Sequence, residues 1–109
     1  FQLYDRAVFL SAAGGLRVME PAADLAIAAA IASSARDEAI DHRTLLFGEI
    51  GLVGEIRAVS HPAQRLAEAK RHGFTRVIAP RSAQQHAPEG LEVVSVRTLR
   101  QALGHLFMG

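Results

Sequence analysis

Residues 20–36, EPAADLAIAAAIASSAR, form the stretch that decides the fold of this chain. Pro21 suits the first turn of a helix, where its missing N–H would have no intrahelical partner. Alanine, leucine and isoleucine then follow almost without interruption, which predicts a helix from Pro21 to about Ala35. Because no polar face is evident over its first three turns, we expect this helix to be buried on most sides, packed close to a sheet by its small side chains.

Outward from this helix, the chain alternates short β-rich runs with turns and helical segments. The predicted strands are Ala7–Ala12, Leu16–Met19, Thr44–Gly48, Gly54–Val59, Phe74–Ala79 and Leu91–Val96, with a turn at Gly14-Gly15 and a connection at residues 49–53. Two more helices are predicted: Pro62–His72, with Ser60 as a possible cap and Gly73 as the stop, and a terminal helix from Thr98 to about Phe107. Residues 81–90 are polar and proline-containing, which predicts a surface loop. This order predicts an α+β fold, an α/β sandwich of sheet and helices, and leaves its topology open.

The predicted second helix has one inward face. Ala63, Leu66 and Ala69 recur at three-residue spacing and are expected to point toward the core. The charged side chains of the same helix, including Arg65 and Arg71, are expected to lie largely elsewhere.

The composition is that of a folded globular domain. With 109 residues, 50% hydrophobic and 21% charged, the chain fits a single domain over residues 1–109. The absence of cysteine excludes a disulfide framework and a thiolate metal site. The longest apolar run, residues 25–32, is far shorter than the roughly 20 residues of a membrane span, and no signal peptide is visible. Since the chain starts at Phe1, we expect an excised part of a larger protein.

Charge is distributed unevenly along the sequence. Residues 1–55 carry four arginines and eight acids, whereas residues 56–109 carry eight bases and three acids, although the net charge is only +1. The second half is therefore the more plausible surface for phosphate or an acidic partner. A folded sheet that mixes the two halves would cancel this asymmetry.

Two stretches carry a family resemblance: GGLRVMEPAADLAIAAAIASSAR at residues 14–36, and FGEIGLVGEIRAV at residues 47–59 with the RLAEAKRHGF and TRVIAP segments that follow. They are similar to the C-terminal domain of the bacterial RadA (Sms) family of DNA repair proteins, which in turn resembles the proteolytic domain of Lon. The likeness runs from about Val8 to Leu106. It implies a Lon-like fold, with a left-handed βαβ crossover as in a ribosomal small-subunit protein domain.

The resemblance also implies a parent protein. Its upstream parts would be a zinc-finger segment and a RecA-like ATPase, so ATP, Mg²⁺ and Zn²⁺ are expected there and no cofactor is expected in this fragment. The parent would act in homologous recombination in the bacterial cytoplasm, driving branch migration as a hexameric ring. The expected partners of the chain are DNA and further copies of itself, with no membrane.

Lon-type peptidases are serine–lysine enzymes, and both positions of that dyad are degenerate here. The resemblance places the serine of a Pro-Ser-Ala-Gly motif at Ala22 and its glycine at Asp24, and it places the lysine at Ala63. An alanine methyl group cannot attack a carbonyl. Lys70 lies about two helical turns from Ala63, roughly 10 Å at 1.5 Å per residue, which is too far to replace it. We therefore expect this fragment not to be an enzyme.

Other site chemistry finds little support in the sequence. The five histidines lack HxxxH or HxH spacing, so no metal site is predicted. Glu49 and Glu55 suggest solvated charges or partners for Arg57 rather than a catalytic carboxylate pair. Gly48, Gly51 and Gly54 do not form a phosphate-binding loop.

Three functions remain in order of preference. The first is a non-catalytic domain that helps to build a ring and contacts DNA phosphates; its candidate residues are Arg57, Arg65, Arg71, Arg76 and Arg81, with Arg97 and Arg100 adding to the basic excess. The second is an oligomerisation scaffold in which these arginines pair with acids of the next subunit. The third is an active serine–lysine peptidase, which would need a dyad that the sequence does not offer.

Overall fold

The structure is a computed structural model that describes residues 20–107. The predicted strands Ala7–Ala12 and Leu16–Met19 and the Gly14-Gly15 turn lie outside these residues. A 3₁₀ turn, Pro21–Ala23, leads into helix α1, Asp24–Arg36. Strands β1, Thr44–Leu46, β2, Glu49–Ile50, and β3, Ile56–Arg57, precede helix α2, Pro62–Arg71. Strand β4, Arg76–Pro80, a 3₁₀ helix, Arg81–His86, strand β5, Glu92–Val96, and helix α3, Leu99–Leu106, complete the described chain.

The described strands form two sheets. The larger one is parallel, in the order β1-β4-β5, with Thr44 opposite Arg76 and Pro80 opposite Val96. The smaller one is the antiparallel pair β2-β3, in which Glu49 lies opposite Arg57. Helices with both parallel and antiparallel strands make this an α+β fold, as the sequence predicts.

The core lies between the parallel sheet and the helices. In α1, Leu25, Ala26 and Ala29 are fully buried, and in α2, Leu66 and Ala69 are fully buried. Central strand β4 is buried on both faces, which explains its unbroken apolar run VIAP. Alanine at the contact positions of both helices allows the close approach to the sheet that the sequence predicts.

Helix α1 is less buried than its composition indicates. Ile27 and Ile31, four residues apart, share a face of the helix, and Ile31 is 64% exposed. The expectation of burial on most sides is therefore wrong among the described residues. An apolar sequence without a polar face does not reveal which side of a helix meets the sheet.

The ends of α2 match the sequence only in part. Gly73 adopts a positive φ of 90° and ends the helix, and Phe74 N–H donates to the Ala69 carbonyl at 3.1 Å, as in a Schellman motif. Ser60 is not the N-cap: His61 occupies that position in a left-handed conformation and makes no side-chain cap bond. Thr98, by contrast, does cap α3, because its hydroxyl accepts from Gln101 N–H at 3.1 Å.

The segment between β1 and α2 also departs from prediction. The strand expected at residues 54–59 is reduced to β3, and its partner β2 lies in the segment expected to be only a connection. The loop predicted at residues 81–90 contains the 3₁₀ helix Arg81–His86. Strands of two residues are too short to show alternation, so periodicity could not find them.

Candidate functional site

Ala22 lies at the entrance to α1, in a corner whose backbone donors are already bound. Ala23 N–H donates to the Glu20 carbonyl, Asp24 N–H to the Pro21 carbonyl and Leu25 N–H to the Gly48 carbonyl. The Ala22 carbonyl accepts from Gly48 N–H at 2.8 Å, which fixes the corner to the end of β1. A helix entrance serves an oxyanion only if such N–H groups are free, so these three are unsuited to that role.

Asp24, which the resemblance aligns with the glycine of the Lon-type motif, has a bond of its own. Its Oδ2 accepts from Ile50 N–H at 3.1 Å, so the carboxylate connects the first turn of α1 to β2. Negative charge at a helix entrance is also electrostatically favourable. The Asp24 carboxylate thus adds a structural contact at the entrance to α1.

A cavity of about 150 Å³ opens beside Ala22. Its lining residues are Glu20, Pro21, Ala22, Glu49, Ala58, Val59 and Ser60. Among the lining residues, Ser60 is the one with a hydroxyl group, and it donates to Glu20 Oε1 at 3.3 Å. The same carboxylate forms an ion pair with Arg65. Sequence reasoning missed this grouping, since no spacing rule joins residues 20 and 60.

Ala63, where the resemblance places the lysine of the dyad, lies on the outer side of α2 and is exposed. The prediction that it points inward with Leu66 and Ala69 is wrong, because the buried face of α2 includes Arg65 instead. Lys70 is exposed near the end of the same helix, where its Nζ donates to the Glu89 carbonyl.

Arg65 is a buried residue rather than a surface arginine. Its side chain is 7% exposed and that of Glu20 is 16% exposed. Besides the Glu20 ion pair, Arg65 Nε donates to the Ser60 carbonyl at 2.7 Å, and the guanidinium lies over the Phe47 ring. The guanidinium is thus engaged inside the fold, and among the five DNA-binding candidates Arg65 is the one that does not face solvent.

Three exposed arginines gather where the parallel strands end; we call Arg81, Arg97 and Arg100 the carboxyl-edge arginines. Because Pro80 is opposite Val96, Arg81 and Arg97 leave the sheet side by side, and Arg100 follows in the first turn of α3. No acidic side chain within residues 20–107 pairs with any of the three. Arg57 is close by, since Ile56 N–H donates to the Arg97 carbonyl at 2.8 Å.

Arg71 and Arg76, the remaining candidates, lie at the opposite end of the sheet, where Arg43 precedes β1; we call Arg43, Arg71 and Arg76 the amino-edge arginines. Arg71 pairs with Glu68 at 2.6 Å, and Arg76 Nε lies 3.9 Å from Glu92. The five candidates therefore do not form one surface: one is buried, and two lie at each end of the sheet.

Arg57 is engaged by Glu55, as the sequence suggests. Arg57 Nη2 lies 3.0 Å from Glu55 Oε2, and the carboxylate also accepts from Val53 N–H at 3.2 Å. The pKa of Glu55 is lowered from its ordinary value, first by a hydrogen bond from its own backbone and then by the side-chain bond from Arg57. The carboxylate thus holds the β2-β3 turn in place.

Within residues 20–107, no group of three or more histidine, aspartate or glutamate side chains is placed to hold a metal ion. None of the helices in that range combines the length and apolar character needed to cross a membrane.

This α+β fold belongs to a recognised class of domain. The family described as "Subunit ChlI of Mg-chelatase" matches residues 6–83, which is most of the chain, and the chain belongs to that family.

Curated relatives of the chain carry the name DNA repair protein RadA. The protein from Pseudomonas aeruginosa is 50% identical over 105 residues, 95% of this chain and 23% of its own length. That from Streptococcus pyogenes serotype M1 is 46% identical over 96% of this chain and 24% of its own length. That from Escherichia coli is 43% identical over 94% of this chain and 22% of its own length. The chain is thus a RadA-type domain that spans about a quarter of the length of these relatives.

Proposed function

We propose that the chain is the non-catalytic, Lon-like C-terminal domain of a RadA-type recombination protein, and that it contacts the phosphates of DNA while helping to assemble a ring. The single observation that carries DNA contact is the set of carboxyl-edge arginines: three exposed cations without acidic partners among the described residues, at one end of the sheet. Guanidinium groups of this kind bind phosphate without reading base sequence. The whole parent would drive branch migration in the bacterial cytoplasm, with ATP, Mg²⁺ and Zn²⁺ bound upstream.

A non-catalytic role is supported by the helix corner. Ala22 lacks a nucleophile, Ala63 lacks a base, and the N–H groups of residues 23–25 are bound to backbone carbonyls. The positions expected for nucleophile and base thus carry methyl groups, and these three N–H groups are occupied. Turnover of casein that is blocked by a serine-directed reagent would restore the peptidase hypothesis.

Fluorescence anisotropy with a labelled duplex tests the DNA role. The triple variant R81Q/R97Q/R100Q is expected to lose at least tenfold in affinity at low salt, because it removes all three proposed phosphate contacts. The matched control, R43Q/R71Q/R76Q, removes the same charge at the amino edge. Its affinity for DNA is expected to stay within about threefold of that of the unmutated chain. Equal losses of affinity in both triple variants would show that only the net charge matters. If the unmutated 109-residue chain does not bind DNA, the proposal fails.

A scaffold without DNA contact is favoured by a different observation, the exposed apolar pair on α1. Ile27 and Ile31 form a patch that association with another copy would cover. Sedimentation of the chain and of I27S/I31S tests this function. Association that disappears in the variant, in a chain that does not bind DNA, would favour the scaffold.

A further inference from the structure

The turn between β2 and β3 exposes two aliphatic side chains. We call residues 51–54, Gly-Leu-Val-Gly, the hairpin tip. Leu52 is fully exposed and Val53 is 89% exposed, the two most exposed large hydrophobic residues of the described chain. Gly54 N–H donates to the Gly51 carbonyl at 3.1 Å, so Leu52 and Val53 occupy the two central positions of a tight turn. Such positions usually hold glycine, asparagine, aspartate or proline, so two aliphatic residues there require an explanation.

The hairpin tip is held in a single arrangement. Gly51 N–H donates to the Glu55 carbonyl at 2.8 Å, and Val53 N–H donates to the Glu55 carboxylate, which Arg57 holds from the other side. A Cβ at Gly51 would lie 2.1 Å from that carboxylate, so glycine is what lets it fold beneath the turn. Leu99 N–H donates to the Gly54 carbonyl at 2.9 Å and connects the tip to the start of α3. The apolar pair is therefore presented by a braced turn.

Three arginines, Arg57, Arg97 and Arg100, lie next to the hairpin tip. A groove of about 450 Å³ separates it from α3 and is lined by Val53, Gly54, Thr98, Leu99 and Arg100. Arg57 and Arg97 flank the same hairpin, since β3 bonds to the Arg97 carbonyl. Arg57 is paired with Glu55, whereas Arg97 and Arg100 have no acidic partner within residues 20–107. A polyanion with an apolar interior would complement both these free cations and the apolar pair. Duplex DNA has phosphates outside and stacked bases inside.

We propose that Leu52 and Val53 act as a wedge that enters the base stack of double-stranded DNA, while Arg97 and Arg100 hold the adjacent phosphates. Aliphatic side chains that enter between base steps unstack them and kink the duplex, and the phosphate contacts offset that cost. Rigid presentation favours insertion, because a mobile tip would lose more conformational entropy on entering the duplex. This inference rests on the proposed DNA contact and adds that the contact deforms the duplex.

Plasmid topology measures the deformation without requiring a known sequence. Closed circular DNA is relaxed by topoisomerase I in the presence of the full 109-residue chain, and the topoisomers are then separated after the protein is removed. The parent chain is expected to shift the linking-number distribution, because inserted wedges unwind the duplex. The variant L52S/V53S is expected to lose the shift while its anisotropy-measured affinity stays within about fivefold. The matched control I27S/I31S changes two exposed aliphatic residues elsewhere and should keep the shift.

The possible outcomes separate this inference from the proposed function. If the parent chain binds DNA without shifting the topoisomers, or if L52S/V53S shifts them equally, the wedge is refuted and DNA contact stands. If the parent chain does not bind DNA at low salt, DNA contact fails and the wedge fails with it. If L52S/V53S abolishes self-association in sedimentation while the topoisomer shift persists, the hairpin tip is a contact between copies and the inference is overturned.

Discussion

At the scale of single residues, Arg65 and the other arginines are alike in sequence and different in environment. Arg65 sits between Glu20, the Ser60 carbonyl and the Phe47 ring, where water is largely excluded. A buried ion pair adds little net stability relative to an apolar pair, but the removal of one partner leaves an uncompensated charge. Arg65 therefore connects α2 to the entrance of α1.

Arg65→Ala is expected to lower the free energy of unfolding by about 3 kcal/mol, because Glu20 would remain largely buried without its cation. Urea denaturation followed by circular dichroism measures the change. Arg71→Ala is the control: its side chain is 69% exposed, so its loss should cost at most about 1 kcal/mol. The double variant E20Q/R65M should recover part of the loss, and equal effects of R65A and R71A would contradict a buried role.

Ala22→Ser alone, and A22S/A63K together, are expected to leave the chain without peptidase activity. The new hydroxyl would stand beside N–H groups that already donate to backbone carbonyls, so the oxyanion would lack its donors. Ala63 is exposed, so lysine is tolerated there and the double variant should fold. Fluorescent casein and a serine-directed covalent probe measure the activity. Turnover above the parent chain by the double variant would show that the corner can still be arranged for catalysis.

Sequence alone suggests Ala22 and Ala63 as the dyad positions, through the resemblance to Lon-type peptidases, but not their surroundings. The burial of Arg65 and the exposure of Ala63 depend on the rotation of α2 about its axis, and in PAQRLAEAKR only Leu66 is a large apolar residue that could define it. The link between Glu20 and Ser60 forms only in the folded chain.

At the scale of elements, the β2-β3 hairpin has few hydrogen bonds between its strands and depends on contacts at its turn. It contains two residue pairs, too few for independent stability, and depends on the Glu55 carboxylate and on the bond from Leu99. Sequence reasoning offered Glu49 and Glu55 as solvated charges or as partners for Arg57, and in the structure Glu55 is the partner. It could not predict the turn, because GLVG lacks the asparagine and aspartate of the common hairpin turns.

Gly51→Ala is expected to loosen the hairpin without unfolding the domain. The added methyl group would displace the Glu55 carboxylate, which can swing into solvent and give up Val53 N–H. Amide hydrogen exchange at Val53 should accelerate by about tenfold, the loss of one hydrogen bond of ordinary net strength. Exchange at Ile78, in central strand β4, is the internal control and should not change. Unchanged exchange at Val53 would mean that the carboxylate is not what protects it.

Acid is expected to release the same turn. The folded pKa of Glu55 is lowered, so its stabilising contribution is fully present above the ordinary value of 4.5 and is lost as the pH falls through the lower folded value. The Val53 amide resonance, followed by NMR, should therefore titrate with a midpoint below 4.5. In Glu55→Gln this titration should be absent. A midpoint at or above the ordinary value would contradict the hydrogen-bonding pattern around Glu55.

At the scale of the whole molecule, folding rearranges the charge asymmetry of the sequence. The parallel sheet places residues of the basic second half at both ends, and it brings Arg43 from the acidic first half next to Arg76. Glu68 and Glu92 neutralise part of the positive charge at the amino edge. The carboxyl-edge arginines have no acidic partners among residues 20–107. Sequence could predict the basic excess, but only strand register could predict that Arg81 and Arg97 emerge together.

The salt dependence of DNA binding is expected to report this arrangement. If the carboxyl-edge arginines each neutralise one phosphate, log K should fall with log salt with a slope of about −2.7. In R81Q/R97Q/R100Q the slope should approach zero, whereas in R43Q/R71Q/R76Q it should remain near the parent value. Anisotropy titrations at several salt concentrations measure all three slopes. Parallel slopes in the two triples would place the phosphate contacts elsewhere.

The central position of β4 has a consequence for biosynthesis. Translation delivers β1 first, yet its neighbour in the sheet is β4, so the nascent chain carries an open strand edge until residues 76–80 leave the ribosome. Only then can β5 join from the other side. Co-translational folding is thus controlled by a single late strand, and a ribosome that stalls before Arg76 would present β1 to chaperones as an unfinished template.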